Sequence, residues 1–128
     1  MDREKLLDLY KKYDLEKTDV YKHQHYVIIT RQGIEKIAAK ENIAINYEVV
    51  KCEPNFAVVK AYAKKEEVQI ETFGSALKGA NYKDGNCNSW YVMEMAEKRA
   101  LSRSVLKLTG FYELGVFGED ESDDFKRK

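Results

Sequence analysis

Apolar positions recur along this chain with two different periods, and the change from one to the other divides it into elements. Between residues 2 and 13, Leu6, Leu9, Tyr10 and Tyr13 follow one another at three- and four-residue steps, which predicts a short helix. Tyr26-Val27-Ile28-Ile29 is a continuous apolar run of strand length. It leads into a second helical stretch over 30–40, with Thr30 placed to cap it and Ile34, Ile37 and Ala38 as its apolar stripe. The period then falls to two. Ile43, Ile45, Tyr47 and Val49 alternate through 43–52, and a turn at Glu53-Pro54-Asn55 follows. From 56 to 64, Ala57, Val59, Ala61 and Ala63 share one face, while Phe56, Val58, Lys60, Tyr62 and Lys64 share the other. Over 66–73, Val68, Ile70 and Thr72 alternate with Glu67, Gln69 and Glu71. Three such runs joined by short turns predict an antiparallel meander with one covered face. The alanine row on its middle strand leaves room for a helix to lie close.

The last patterned stretch predicts a long helix from Asn88 or Ser89 to about Thr109, with Gly110 in the position that favours a left-handed residue after a helix. Met93, Ala96, Ala100, Leu101, Ser104, Val105 and Leu108 form its expected buried face. Glu94 and Glu97 precede Lys98, Arg99, Arg103 and Lys107, an order that suits the helix dipole. The expected fold is therefore α+β. A three-stranded antiparallel β-meander packs on a long C-terminal helix (a β-β-β-α core), with an additional N-terminal helix and a short strand–helix unit.

Length and charge refine this picture. A chain of 128 residues is the size of one domain. The glycine-bearing loop 78–89 and the acidic stretch from Gly118 stand outside the patterned elements, so the domain is expected over 1–117 and a disordered tail over 118–128. Lys plus Arg and Asp plus Glu number 22 each. That balance excludes a protein that holds nucleic acid by bulk charge alone. Six of the acids and three of the bases lie from Glu113 onward, which leaves 19 bases against 16 acids, a surplus of three, in residues 1–112. The body is mildly basic. No apolar run approaches the roughly 20 residues of a membrane span, and the first residues lack the apolar stretch of a signal peptide. The expectation is a cytoplasmic protein that does not enter a membrane.

Candidate chemistry is sparse. His23 and His25 alternate on a strand, but two ligands do not make a metal site and no third residue is spaced to join them. Cys52 and Cys87 match no zinc or disulfide spacing. There is no phosphate-cradling glycine loop and no nucleophile elbow. No catalytic residue, metal or cofactor is expected. Two basic patterns remain. Arg99, Arg103 and Lys107 fall four residues apart on one stripe of the long helix, about 12 Å of it, where each can meet a phosphate. Lys60-Ala-Tyr62-Ala-Lys64 interleaves cations with an aromatic, as proteins that stack single-stranded bases do. Lys78 and Lys83 flank these from the loop. Salt bridges from the strand face to Glu67 or Glu71 are the structural alternative for the same cations.

Taken together, Ile34-Glu35-Lys36-Ile37-Ala38, the three strands, Gly74-Ser75-Ala76 as a turn, and Ala96-Glu97-Lys98-Arg99-Ala100-Leu101-Ser102-Arg103 leading to Leu108-Thr109-Gly110-Phe111 resemble the single-strand annealing proteins. That superfamily includes the eukaryotic recombination annealing protein and the Erf-type and Sak-type phage proteins. The run from Met93 to Glu121 is similar to phage and mobile-element proteins of this group, and the resemblance covers roughly residues 26–118. It implies an ATP-independent single-stranded DNA-binding and annealing protein of recombination or repair that works as a homo-oligomer, a ring or a filament. A single-strand-binding protein or an exonuclease would be its protein partner. The DNA-binding residues it implies are Arg99, Arg103 and Lys107 with Lys60, Lys64 and Tyr62, and secondarily Lys78 and Lys83. The chain departs from the family in being less basic. The alternative function is a structural or interaction module of the same fold without DNA activity.

Overall fold

A computed structural model describes residues 3–23, 26–78 and 92–119 of the chain. Helix α1 (Arg3–Lys12) is followed by strands β1 (Val20–His23) and β2 (Tyr26–Ile29) and by helix α2 (Arg31–Lys40). Three ten-residue strands come next, β3 (Ala44–Glu53), β4 (Phe56–Lys65) and β5 (Val68–Leu77). Helix α3 (Val92–Thr109) and a short strand β6 (Val116–Gly118) complete the fold. It is α+β, with the antiparallel meander β3-β4-β5 against the long helix.

The meander forms because period-two patterning places one side of β4 and β5 in the core, while β3 joins by pairing with β4 and stays largely exposed. Ala57, Val59, Ala61 and Ala63 of β4 and Thr72, Gly74 and Ala76 of β5 are all buried on the α3 side. These small side chains let the helix approach closely. A Cβ added at Gly74 would lie 2.0 Å from the Ala96 carbonyl oxygen and 2.6 Å from the Ala100 nitrogen, so the backbones nearly touch there. Beside that contact, Thr72 Oγ1 donates to the Ala100 carbonyl at 3.1 Å, and the Thr72 and Ser104 hydroxyls are 2.6 Å apart. A buried hydroxyl placed this way is satisfied within the core.

A second sheet has the order β1-β2-β6, antiparallel between β1 and β2 and parallel between β2 and β6. The sequence places His23 on a strand without bounding β1, whose Val20-Tyr21-Lys22-His23 carries no apolar run, and β6, with three residues, is too short to show a period. Gly118, expected to begin the tail, is buried in β6 opposite Ile29, and a Cβ there would sit 2.7 Å from that of Ser102. The fold continues to Glu119, whose carboxylate accepts from the Arg31 amide at the start of α2 at 3.2 Å. Residues 120–128 lie outside the described residues, as do most of the 78–89 loop and the expected helix start at Asn88 or Ser89.

Helix α3 thus has the meander on one side and β6 with α2 on another. Leu6, Tyr13, Val27, Ile29, Ile34, Ile37, Val105, Leu106, Phe111 and Val116 form the main core around its C-terminal half. Burial on two sides explains why its buried set departs from a single stripe. Arg99, Ser102, Leu106 and Thr109 join the expected Ala96, Ala100, Ser104 and Val105, while Met93, Leu101 and Leu108 are only half-buried. Gly74-Ser75-Ala76, expected as a turn, lies inside β5, because its small residues serve the helix contact. Thr30 caps α2 as expected, accepting from the Gly33 amide at 3.2 Å, and Gly110 has the positive φ of 88° expected after α3.

Candidate nucleic-acid interface

No described element covers the face of the meander opposite α3. Strand alternation and register define its occupants. Strand β4 contributes Phe56, Val58, Lys60, Tyr62 and Lys64, and β5 contributes Leu77, Ser75, Phe73, Glu71 and Gln69 opposite them. Strand β3 adds Asn46, Glu48, Lys51 and Glu53. A bulge between Val49 and Lys51 shifts the parity there, so that Glu48 and Lys51, three apart, lie on the same face.

The face has two aromatic–cation groups. Lys60 Nζ lies 5.0 Å from the Tyr62 ring centroid and 5.6 Å from that of Phe73, its cross-strand neighbour. Lys51 Nζ lies 5.8 Å from the Phe56 ring. Phe73 is 49% exposed, a large value for a phenylalanine that has neighbours on its own sheet. Acidic groups balance the lysines. Glu71 pairs with Lys60 at 3.4 Å, Glu53 with Lys51 at 3.4 Å, and Tyr62 donates its hydroxyl proton to Glu48 at 3.0 Å. Burial of its stem works against the Lys60 charge, yet its contacts with Tyr62 and Glu71 hold the ammonium above its ordinary value. The sheet face therefore offers stacking surface with fixed cations and little net charge.

The helix stripe is placed differently. Arg99 is 6% exposed and donates through Nη1 to the Ser75 carbonyl at 2.8 Å. Arg103, half-buried, donates through Nη1 to the Phe73 carbonyl at 3.1 Å. Carbonyls two residues apart on a strand turn to the same side, so both guanidiniums reach one edge of β5, beyond which no strand lies among the described residues. Lys107 is exposed and lies 5.2 Å from the Tyr112 ring, at the other end of α3.

The structure thus brings Lys60, Tyr62 and Lys64 together on one face and sets Arg99 and Arg103 at its rim. Lys107 is apart from them. Lys78, whose amide donates to the Asn55 carbonyl at 2.7 Å, sits at the Phe56 end of the same sheet. Lys83 lies outside the described residues. Phe56 lies on the face where the alternation puts it, and Lys51 and Phe73 join it there. Phe73 was legible from its spacing, since it continues the Glu67, Gln69, Glu71 row. Lys51 was not, because only the bulge turns it to this side.

His23 ends β1, and His25 lies outside the described residues. Among the described residues no three His, Cys, Asp or Glu side chains gather as a metal site, and no helix is long and apolar enough to cross a membrane. Among the described residues a cavity of about 420 Å³ between α1 and β1 is lined by Leu6, Leu7, Tyr10, Val20, Tyr21 and Val27 with Arg3 and Lys22. It is far in sequence and element from the sheet face. No family model, curated protein or solved structure matches the chain.

Proposed function

We propose that this protein binds single-stranded nucleic acid on the open face of the β3–β5 sheet and promotes annealing of complementary strands, working as a homo-oligomer without ATP. The observation that carries this reading is the Lys60–Tyr62–Phe73 group, with Lys51 over Phe56 beside it. The exposed Phe73 ring on β5 and the half-buried Tyr62 ring on β4 give bases a surface to stack on whatever their identity, and the lysines beside them meet the phosphates. The resemblance to single-strand annealing proteins supports the same reading. Arg99 and Arg103 then act mainly by fixing the β5 edge of the platform, with Lys60, Lys64, Tyr62, Lys51 and Phe73 as the contact residues.

Anisotropy of a labelled oligonucleotide across a salt series tests the proposal. Each phosphate contacted lowers log K by about 0.7 per tenfold rise in salt for single strands, so three lysines give a slope of about 2. Sequence-tolerant binding with that shallow slope, and faster pairing of complementary strands with protein present, is the expected result. The carbonyl clips of Arg99 and Arg103 favour one competing reading, a structural module in which these cations serve only the fold. Absence of binding at low salt would establish that reading instead.

A further inference from the structure

The two edges of the three-stranded sheet are treated differently by the fold. The β5 edge carries the Arg99 and Arg103 guanidiniums on the Ser75 and Phe73 carbonyls. Among the described residues no side chain or strand covers the β3 edge in this way. It is ten residues long, and α3 lies against β4 and β5, so the helix side of β3 overhangs. Tyr47 and Val49 are 38% and 58% exposed there, and Val50, in the bulge, is 52% exposed. Natural sheets seldom leave a long, β-branched edge open to solvent, because it is a template for another strand.

We propose that β3 pairs antiparallel with β3 of a second copy about a two-fold axis, joining two meanders into one six-stranded sheet. The sequence of the strand is complementary to itself in one register. Placing Glu48 of each copy opposite Lys51 of the other sets Tyr47 opposite Cys52 and Asn46 opposite Glu53. A two-fold pair requires facing residues to lie on the same side of the sheet, and residues three apart in a regular strand do not. The bulge between Val49 and Lys51 supplies the missing step, since Glu48 pairs with Lys60 and Lys51 with Val58, both on the open face. Two opposite-charge pairs then form, one on each side of the axis. The overhanging Tyr47 and Val49 of the two copies adjoin between the α3 helices and leave water. The open faces of both copies become one surface, with the Lys60–Tyr62–Phe73 group repeated at its two ends. This pairing specifies the homo-oligomer of the proposed function but does not depend on nucleic acid.

Light-scattering mass of the full chain, measured without nucleic acid over a concentration series, tests it. The expected mass is twice 14.9 kDa. Glu48→Lys and Lys51→Glu each put like charges opposite one another twice, and each should weaken the dimer by roughly tenfold or more. The double variant E48K/K51E restores opposite pairs and should return the dissociation constant to within about threefold of the parent. Circular dichroism identical among the three confirms that these exposed sites leave the fold intact. A monomer at every concentration, an assembly larger than a dimer, single reversals without effect, or a double variant that fails to recover would each overturn the pairing. Because no oligonucleotide is present, such a failure is distinct from failure of single-strand binding.

Discussion

Arg99 donates through Nη1 to the carbonyl oxygen of Ser75 at 2.8 Å from a position only 6% exposed. A charged donor on a carbonyl is worth about 1.5–3 kcal/mol net. Arg99→Ala removes that bond and the packing of the buried stem, so urea unfolding should show a loss of about 2–3 kcal/mol with unchanged slope. Arg103→Ala, from a half-buried site with a longer 3.1 Å bond, should lose about half as much. Single-strand affinity per folded molecule should change little in either variant. A strong loss of affinity without a loss of stability would return the arginines to the binding surface.

How much of this was legible in the sequence follows from which residues have one neighbour and which have two. The meander was readable because β4 and β5 each have a single covered face, which period two reports directly, and β3 carries the same alternation although its helix side stays largely exposed. The covered alanines of β4 also announced the close helix. Helix α3 was readable as a helix, but its orientation was not. With the meander on one side and β6 on another, its buried residues spread past one stripe, and Arg99 entered the interior where the pattern placed a cation able to meet a phosphate. Gly74 misled for a related reason. Glycine signals a turn in isolation, whereas here it is the point where a strand touches a helix. The basic stripe and the lysine face were both visible as charges, and only the carbonyl partners separated a clip from a surface.

That contact gives a second prediction. A methyl group at residue 74 would meet the Ala96 carbonyl at 2.0 Å and the Ala100 nitrogen at 2.6 Å, and both are backbone atoms that cannot swing away. Overpacking of this kind costs about 1–3 kcal/mol where side chains can adjust, and more where they cannot. Gly74→Ala should therefore lower stability by at least about 3 kcal/mol or abolish folding. Calorimetry or urea unfolding checks it against Ser75→Ala, whose side chain points to the open face and which should be nearly neutral.

Acid stability provides a third. Asp19 is fully buried, with Oδ2 accepting from Lys36 Nζ at 2.7 Å and from the Glu16 amide at 2.9 Å. Burial pushes its carboxyl up, but these two donors outweigh it and leave it below its ordinary 3.8. A carboxylate lowered on folding adds stability that is complete above its unfolded value and is lost as pH falls through its folded one. Stability should thus decline below about pH 4. Asp19→Ala should be about 2–3 kcal/mol less stable at pH 7 and should show a flatter decline in that acid window. Equal slopes in the two proteins would remove Asp19 from the acid response.

Phe73 and Lys107 separate the sheet face from the helix stripe as the surface that meets a single strand. Phe73 is 49% exposed and takes part in a cation–π contact with Lys60 at 5.6 Å, so its removal costs the fold little. A base stacked on an aromatic ring is worth about 1–3 kcal/mol by alanine substitution. Phe73→Ala should therefore weaken oligonucleotide binding by about 5- to 150-fold, while Phe73→Trp, which keeps a ring, should hold or improve it. Tyr62→Ala should weaken binding in the same range, and Tyr62→Phe should not, because the ring and not the hydroxyl to Glu48 does the stacking. Lys107→Ala should change affinity by less than about twofold, since that ammonium lies over Tyr112 away from the platform. The reverse order, with Lys107 dominant and Phe73 silent, would move the binding surface to the helix and leave the open sheet face without a nucleic-acid role.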